Sequence, residues 1–351
     1  MTLNDLFAQP PQRIAVLRAI KLGDLLCAVP AFRALRRAYP DAHIALLGLP
    51  WAAEFVARFS DYFDEFIQFP GWPGLPEQPL NVARSVAFLQ QMQERQWDLI
   101  FQMQGNGTLV NAMLTLFGAK AVVGYHPVAY PERYFPNPEF FTTYPEQEHE
   151  VKRWVQLVEF AGILTQGYDL EFPITDDDRT KARQCLDQHL ADRPTSTKQP
   201  EAVRDKYVVL HAGGISGRRW PENRFAQVGD ALAERGFTVV LTGTTAETPI
   251  LETVQRRMHH PTVSVAGQTD LGTLAAVLEG AAVLVSNDTG VSHLAAACHV
   301  PSVVIFTSAD PAEWAPLDRT RHRVVLEPDA TTERVMADVT DLVGRTLLFS
   351  D

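Results

Sequence analysis

Residues 281–298, AAVLVSNDTGVSHLAAAC, decide how this chain is read. Residues 281–285 are an unbroken apolar run of strand type, and Ser286, Asn287, Asp288, Thr289 and Gly290 are small and polar. From Val291 onward small apolar residues resume at helical spacing. The pattern is strand, loop, helix. In a parallel α/β sheet such a loop lies at the carboxyl end of its strand, where ligands bind. The helix that follows turns its free N–H groups and positive end toward the loop, which suits a phosphate. Asp288 and Thr289 offer an anionic acceptor and a hydroxyl, Gly290 lets a ligand approach the backbone, and His293 is placed one turn in to face the same ligand. The same residues also suit a structural arrangement in which Asp288 or Thr289 caps the helix and His293 packs against a neighbour.

Working outward, the second half repeats the motif. A strand at 207–211 runs into AGGISGRRW, whose Gly213 and Gly214 free backbone N–H groups and whose Arg218 and Arg219 offer planar forks to phosphate oxygens. A solvated basic turn is the alternative. The segment is not GxGxxG, and no GxxxxGK[ST] occurs, so the usual dinucleotide and P-loop signals are missing. A strand at 237–241 opens into TGTTAE, where Glu247 either caps the next helix or accepts hydrogen bonds from a sugar hydroxyl. Residues 263–266, 271–278 and 302–306 are expected to complete the sheet, and residues 331–347 to form a closing helix. Ligand-type loops gathered on one sheet edge point to a nucleoside diphosphate carrying a sugar.

The first half has the same grammar. The strand RIAVLR, 13–18, leads through Lys21 and Gly23 to Asp24 at a helix entrance, and Pro30 requires either a kink there or a separate first turn. Arg33, Arg36 and Arg37 form a basic face that is either solvated or set toward an anionic acceptor or membrane surface. Strands at 43–47, 65–69, 97–103 and 121–125 alternate with helices at 51–59 and 82–95, which predicts βαβ units and a parallel sheet. Prolines make 70–79 an exposed loop. Gln104 and Asn106 sit in a polar loop suited to polyols or to a plain turn, and the Pro- and aromatic-rich residues 126–144 either line an acceptor cleft or make a surface excursion. A helix at 148–161, a strand at 169–174 and a polar stretch at 175–204 place the domain boundary around 175.

A chain of 351 residues exceeds the length at which one core keeps growing, so two domains are expected. The formal charge of −11 argues against nonspecific nucleic-acid binding. Cys27, Cys185 and Cys298 are too few and too scattered for a disulfide framework or a metal site, and they suit a reducing cytosol. No secretory leader and no membrane-spanning run is expected from the residue pattern.

Taken together, LGDLLCAVPAFRALRRAYP, HAGG…RRWPENRFAQV, TGTTAE and SNDTGVSHLAAA resemble glycosyltransferase family 9, the ADP-heptose:lipopolysaccharide heptosyltransferases, in the right order over nearly the whole chain. The resemblance implies a GT-B architecture: an acceptor-side Rossmann-like domain at 1–175 and a nucleotide-sugar-binding one at 176–330, facing across a cleft, with a helix at 331–351 crossing back to the first. It implies inverting transfer from an ADP-sugar, with heptose as the expected sugar, to a glycan or glycolipid acceptor, without cofactor or catalytic metal. The setting is cytoplasmic, with at most peripheral contact at the inner face of the membrane. Residue by residue, it makes Asp24 the general base and puts Arg219 where the family usually has a Lys on the donor phosphates. Glu247 falls on the donor hydroxyls, and Asp288, Thr289, Gly290 and His293 around the sugar and diphosphate. Gly213, Gly214 and Arg218 are donor-loop candidates, and Lys21, Gln104 and Asn106 acceptor-side candidates. A GT-B sugar-nucleotide epimerase and a noncatalytic nucleotide-sugar or glycan binder are the alternatives.

Overall fold

The computed structural model describes residues 7, 9–129, 139–190 and 207–348. Residues 193–200 and most of the proline and aromatic segment, 130–138, lie outside them. The chain divides into two compact units, Met1–Asp169 and Leu170–Asp351, six residues ahead of the expected boundary.

The first unit is a six-stranded sheet of β1 (Arg13–Leu17), β2 (His43–Gly48), β3 (Glu65–Gln68), β4 (Leu99–Gln102), β5 (Ala121–His126) and β6 (Phe141–Thr143) in the order β3-β2-β1-β4-β5-β6. Every pairing is parallel. Helices cover the sheet, so after Arg13 the central strand β1 is continuously apolar rather than alternating: Ile14, Ala15, Val16 and Leu17 are all fully buried. The helix around Pro30 is two helices, α1 (Leu22–Cys27) and α2 (Val29–Ala38), divided at Ala28. The missing proline N–H is tolerated because Pro30 sits in the first turn of α2. The basic face of α2 is partly committed: Arg36 pairs with Asp64 at 2.5 Å, and Arg33 donates to the Gln166 and Asp169 carbonyls. Helices α3 (Ala52–Arg58), α4 (Val82–Glu94), α5 (Asn111–Thr115) and α6 (Glu150–Phe160) complete the unit.

The second unit repeats the plan. Its strands are β7 (Tyr207–His211), β8 (Thr238–Leu241), β9 (Val263–Ser264), β10 (Leu284–Asn287), β11 (Ser302–Phe306) and β12 (His322–Leu326), ordered β12-β11-β10-β7-β8-β9 and again wholly parallel. Each unit thus has the 3-2-1-4-5-6 order of a dinucleotide-type fold, whose strand direction of travel reverses between the first and fourth strands.

Several expectations are corrected. Residues 169–174 form no strand. Residues 271–278 are not a strand but belong to a helix that runs Leu271–Glu279, started by Asp270, whose carboxylate accepts the Thr273 N–H at 2.7 Å. The polar stretch after 175 contains the helix α7 (Asp176–Leu190), which packs on that same helix, α10. The remaining α-helices among the described residues are α8 (Glu222–Glu234), α9 (Thr248–Arg257), α11 (Gly290–Ala297), α12 (Pro311–Trp314) and the closing α13 (Thr332–Leu348). Val335, Met336, Val339, Leu342 and Val343 of α13 share one face and join the core of the second sheet with Val303 and Ile305. The described apolar face of α13 thus belongs to the core of the second unit. No helix among the described residues is long and apolar enough to cross a membrane.

Candidate active site

In the second unit β7 and β10 are neighbours, with Ser286 opposite His211, so the loops leaving both strands emerge side by side at the point where the strand order reverses. Asn287, the last residue of β10, is fully buried and joins them. Its side-chain oxygen accepts the Trp220 N–H at 2.8 Å, and its amide nitrogen donates to the Gly213 carbonyl at 2.9 Å and the Ala212 carbonyl at 3.2 Å. One amide therefore fixes both ends of the glycine loop. Gly214 has φ +130°, a conformation open to glycine alone. A Cβ placed on it would lie 3.7 Å from Arg219 Cγ and 3.8 Å from Thr289 Cγ2, so Gly214, Arg219 and Thr289 stand together.

Glu247 meets the same loop. One carboxylate oxygen accepts the Gly214 N–H at 2.7 Å; the other accepts the Thr244 N–H at 2.8 Å and the Thr244 hydroxyl at 2.9 Å, a capping box. Burial works against its charge. The Thr244 and Gly214 N–H groups outweigh that and hold the carboxyl below its ordinary range. His211 is buried, bonded to the Thr242 hydroxyl at 3.0 Å and driven toward its neutral form by burial. A Cβ on Gly213 would run into Glu247 Oε1, so any larger residue there has to displace that carboxylate.

Helix α11 starts at Gly290 with its amino end at the same edge. The Asp288 N–H donates to the Ile305 carbonyl at 2.9 Å, and Thr289 is extended, its carbonyl taking the Ser292 hydroxyl at 2.7 Å. No acidic side chain pairs with Arg218 or Arg219 among the described residues; Arg218 is exposed and Arg219 partly so. His293 is buried and meets the Trp314 ring edge-on, 6.3 Å between centroids. An unpaired guanidinium, a glycine loop and a helix amino end in one place are the parts from which anion sites are built.

In the first unit β1 and β4 are the neighbours at the reversal, with Leu17 opposite Gln102. Asp24 lies in the first turn of α1, and Lys21, exposed, is that helix's N-cap residue. The Asp24 carboxyl is pushed up to about 6 because burial outweighs the favourable field of Arg18, with Glu150 adding to the rise and Lys21 opposing it. Gln104 is buried and clamps the β1 exit, its oxygen accepting the Ala19 N–H at 2.8 Å and its nitrogen donating to the Ala19 carbonyl at 3.3 Å. Asn106 accepts the Thr108 N–H of its own turn at 3.1 Å. Sequence reasoning missed Arg18, Glu150 and Asn287; the signal for Asn287 was an amide ending an apolar strand, and the two charges carried none beyond being charges in apolar company. Among the described residues no group of three His, Cys, Asp or Glu is arranged to hold a metal ion.

The sequence model of glycosyltransferase family 9 (heptosyltransferase) matches residues 85–343, most of the chain. The chain belongs to glycosyltransferase family 9. It is 25% identical over 319 residues to lipopolysaccharide heptosyltransferase 1 of Escherichia coli K12, covering 85% of this chain and 89% of that protein. The crystal structure of a family 9 glycosyltransferase from Veillonella parvula superposes with a TM-score of 0.78 at 19% identity, over 95% of this chain and 97% of the other. E. coli ADP-heptose LPS heptosyltransferase II gives 0.74 at 18% identity, over 96% and 100%. Two Rossmann-like units of the GT-B class are thus the fold of this family 9 member, as the resemblance implied.

Proposed function

We propose that the chain moves a heptose from ADP-heptose to a lipopolysaccharide core acceptor with inversion, Asp24 serving as general base. The observation that carries the donor half is the meeting of Gly214, unpaired Arg219, Thr289 and the start of α11 at the reversal point of the second sheet. The names of the relatives support the sugar, the nucleotide and the acceptor class. In the reaction the acceptor hydroxyl gives its proton to Asp24 while its oxygen attacks the anomeric carbon from the face opposite the diphosphate. The bond from that carbon to the diphosphate oxygen breaks, and negative charge grows on the departing ADP. Arg219 and the N–H groups opening α11 are placed to take up that charge, a contribution that grows as the bond breaks. Glu247 and Asp288 are the acceptors for donor hydroxyls, and Arg218 the second cation of the loop. Lys21 and Asn106 lie on the acceptor side, and the acceptor, a glycolipid, is met at the inner face of the cytoplasmic membrane.

The test is a thermal-shift panel of ADP-, UDP-, GDP- and CMP-sugars, followed by incubation with ADP-heptose and a deacylated core glycan. A ligand that binds only the folded chain raises its midpoint by mass action. ADP-heptose is expected to give the largest rise, and glycan addition with release of ADP to follow. Stabilisation by another nucleotide class alone, or isomerised donor appearing without acceptor, refutes the reading.

A further inference from the structure

Beneath Asp24 lies a buried charge cluster that the proposed reaction does not use. The Arg18 side chain leaves the end of β1 wholly buried. Its Nε and Nη2 donate to the Asp24 carbonyl, its Nη1 donates to the Met103 carbonyl at 2.7 Å, and its Nη2 also reaches Glu150 Oε1 at 2.8 Å. The guanidinium sits 4.3 Å from the centroid of the Trp154 ring, and Trp154 Nε1 donates to the same Glu150 oxygen at 2.7 Å. The other Glu150 oxygen pairs with Arg153, which packs over the Tyr144 ring and whose carbonyl takes the Tyr125 hydroxyl. Burial alone would favour a protonated Glu150; Arg18 and Arg153 overcome it and keep the carboxyl ionised.

A buried ion pair is a poor device for stability, because apolar packing of equal volume does as well. This one has a directional effect. Arg18 is fixed toward main-chain oxygens and Glu150, and among the described residues no cation forms an ion pair with the Asp24 carboxylate. The charged groups acting on Asp24 are Arg18 from the β1 exit, Lys21 from the cap of α1 and Glu150 from α6; Arg33 on α2 turns to the Gln166 and Asp169 carbonyls instead. We propose that Glu150 is a positioning residue for the transfer reaction: it holds the Arg18 guanidinium away from the Asp24 carboxylate, so that this carboxylate stays a usable base. Without Glu150, the Nη2 of Arg18 loses its carboxylate, and the Asp24 carboxyl, which already feels the Arg18 charge, takes its place in an ion pair that would quench its affinity for a proton. The inference rests on Asp24 being the base.

The experiment titrates the Asp24 carboxyl directly, by ¹³C NMR of the full chain labelled at aspartate side-chain carboxyls, with Asp24→Asn identifying the signal. In Glu150→Gln the midpoint is expected to fall by about one pH unit or more, as an opposite charge moving into contact requires, and the acid limb of kcat/KM to fall with it. Arg18→Lys keeps a cation opposite Glu150 but loses the fork that reaches the Asp24 turn, so its midpoint is expected to rise. A purely structural cluster would move both variants the same way or neither, and loss of the Glu150 charge alone would lower the midpoint while a crystal structure of Glu150→Gln still showed the Arg18 guanidinium on the Asp24 carbonyl and off its carboxylate. Any of those results overturns the inference, and Arg18→Lys reads the first two even if Glu150→Gln does not fold. Opposite shifts alongside undiminished turnover in Asp24→Asn uphold the coupling and sink the base assignment instead.

Discussion

Asp24→Asn is expected to destroy transfer and to stabilise the protein. The Asp24 carboxyl is held at about 6 against an ordinary 3.8, chiefly by burial. A carboxyl raised in the folded state opposes folding once it ionises. Its penalty is absent well below the ordinary value, grows as pH rises between the two, and is complete above about 6. At pH 7.5 that gap amounts to at most about 3 kcal/mol, and at pH 5 to about half as much. Asparagine keeps the shape and drops the charge, so the variant should gain up to that amount, roughly 5–10 °C in the midpoint of a unit this size. The assay is urea or thermal denaturation of both proteins at pH 5.0 and 8.0. Taking the difference between them cancels the titrating groups distant from Asp24, whose contributions are additive. Loss of a general base should lower turnover by roughly 10²–10⁴-fold with donor-induced stabilisation retained. A variant no more stable than the parent at pH 8.0, or a gain that does not shrink at pH 5.0, would falsify the account of Asp24 as a base desolvated at the expense of stability.

Three further outcomes are expected. Arg219→Ala should weaken donor binding roughly ten- to hundredfold, the worth of a charge-assisted hydrogen bond, whereas Arg219→Lys keeps most of it; calorimetry with the donor nucleotide separates the two. Gly213→Ala drives a methyl group into Glu247 Oε1, so the Thr244 cap and the Gly214 bond are lost together, at about 2 kcal/mol; the double variant with Glu247→Ala should recover part of it, and strict additivity in denaturation would count against the clash. His322, buried and bonded to the Ser302 hydroxyl at 2.8 Å, is pushed down to about 4 by burial. It is neutral in the fold, while the unfolded chain takes up a proton below about 6.5, so stability is whole above that pH and falls by about 3 kcal/mol on the way to pH 4. In His322→Gln that slope should flatten, and an unchanged slope measured by urea unfolding removes His322 as its source.

The alternation of apolar strands with helices, and the loops at the carboxyl ends of β1, β7, β8 and β10, were legible because strands buried on both faces have no polar interruptions to blur them. Three elements were not. Leu271–Glu279 is apolar nearly all round, so periodicity cannot separate helix from buried strand; the deciding residue was Asp270, outside the run. Among the described side chains of helix α7, Asp178, Ala182 and Leu186 are the buried ones, one residue per turn, too thin a stripe to stand out from its charges. Strand β12, HRVVL, hides behind a histidine and an arginine. At the site, Ser286 and Asn287 read as the opening of a polar loop and are the last two residues of a strand. The Arg18 and Glu150 partnership joins residues 132 positions apart, which no local pattern records.

The tie made by Asn287 has a thermodynamic corollary. A loop clamped at both ends by Asn287 has surrendered its disorder during folding, so under the proposed function a pyrophosphate need not freeze it. Capture should then proceed without a slow ordering phase, and severing the clamp should surface as a more negative binding entropy.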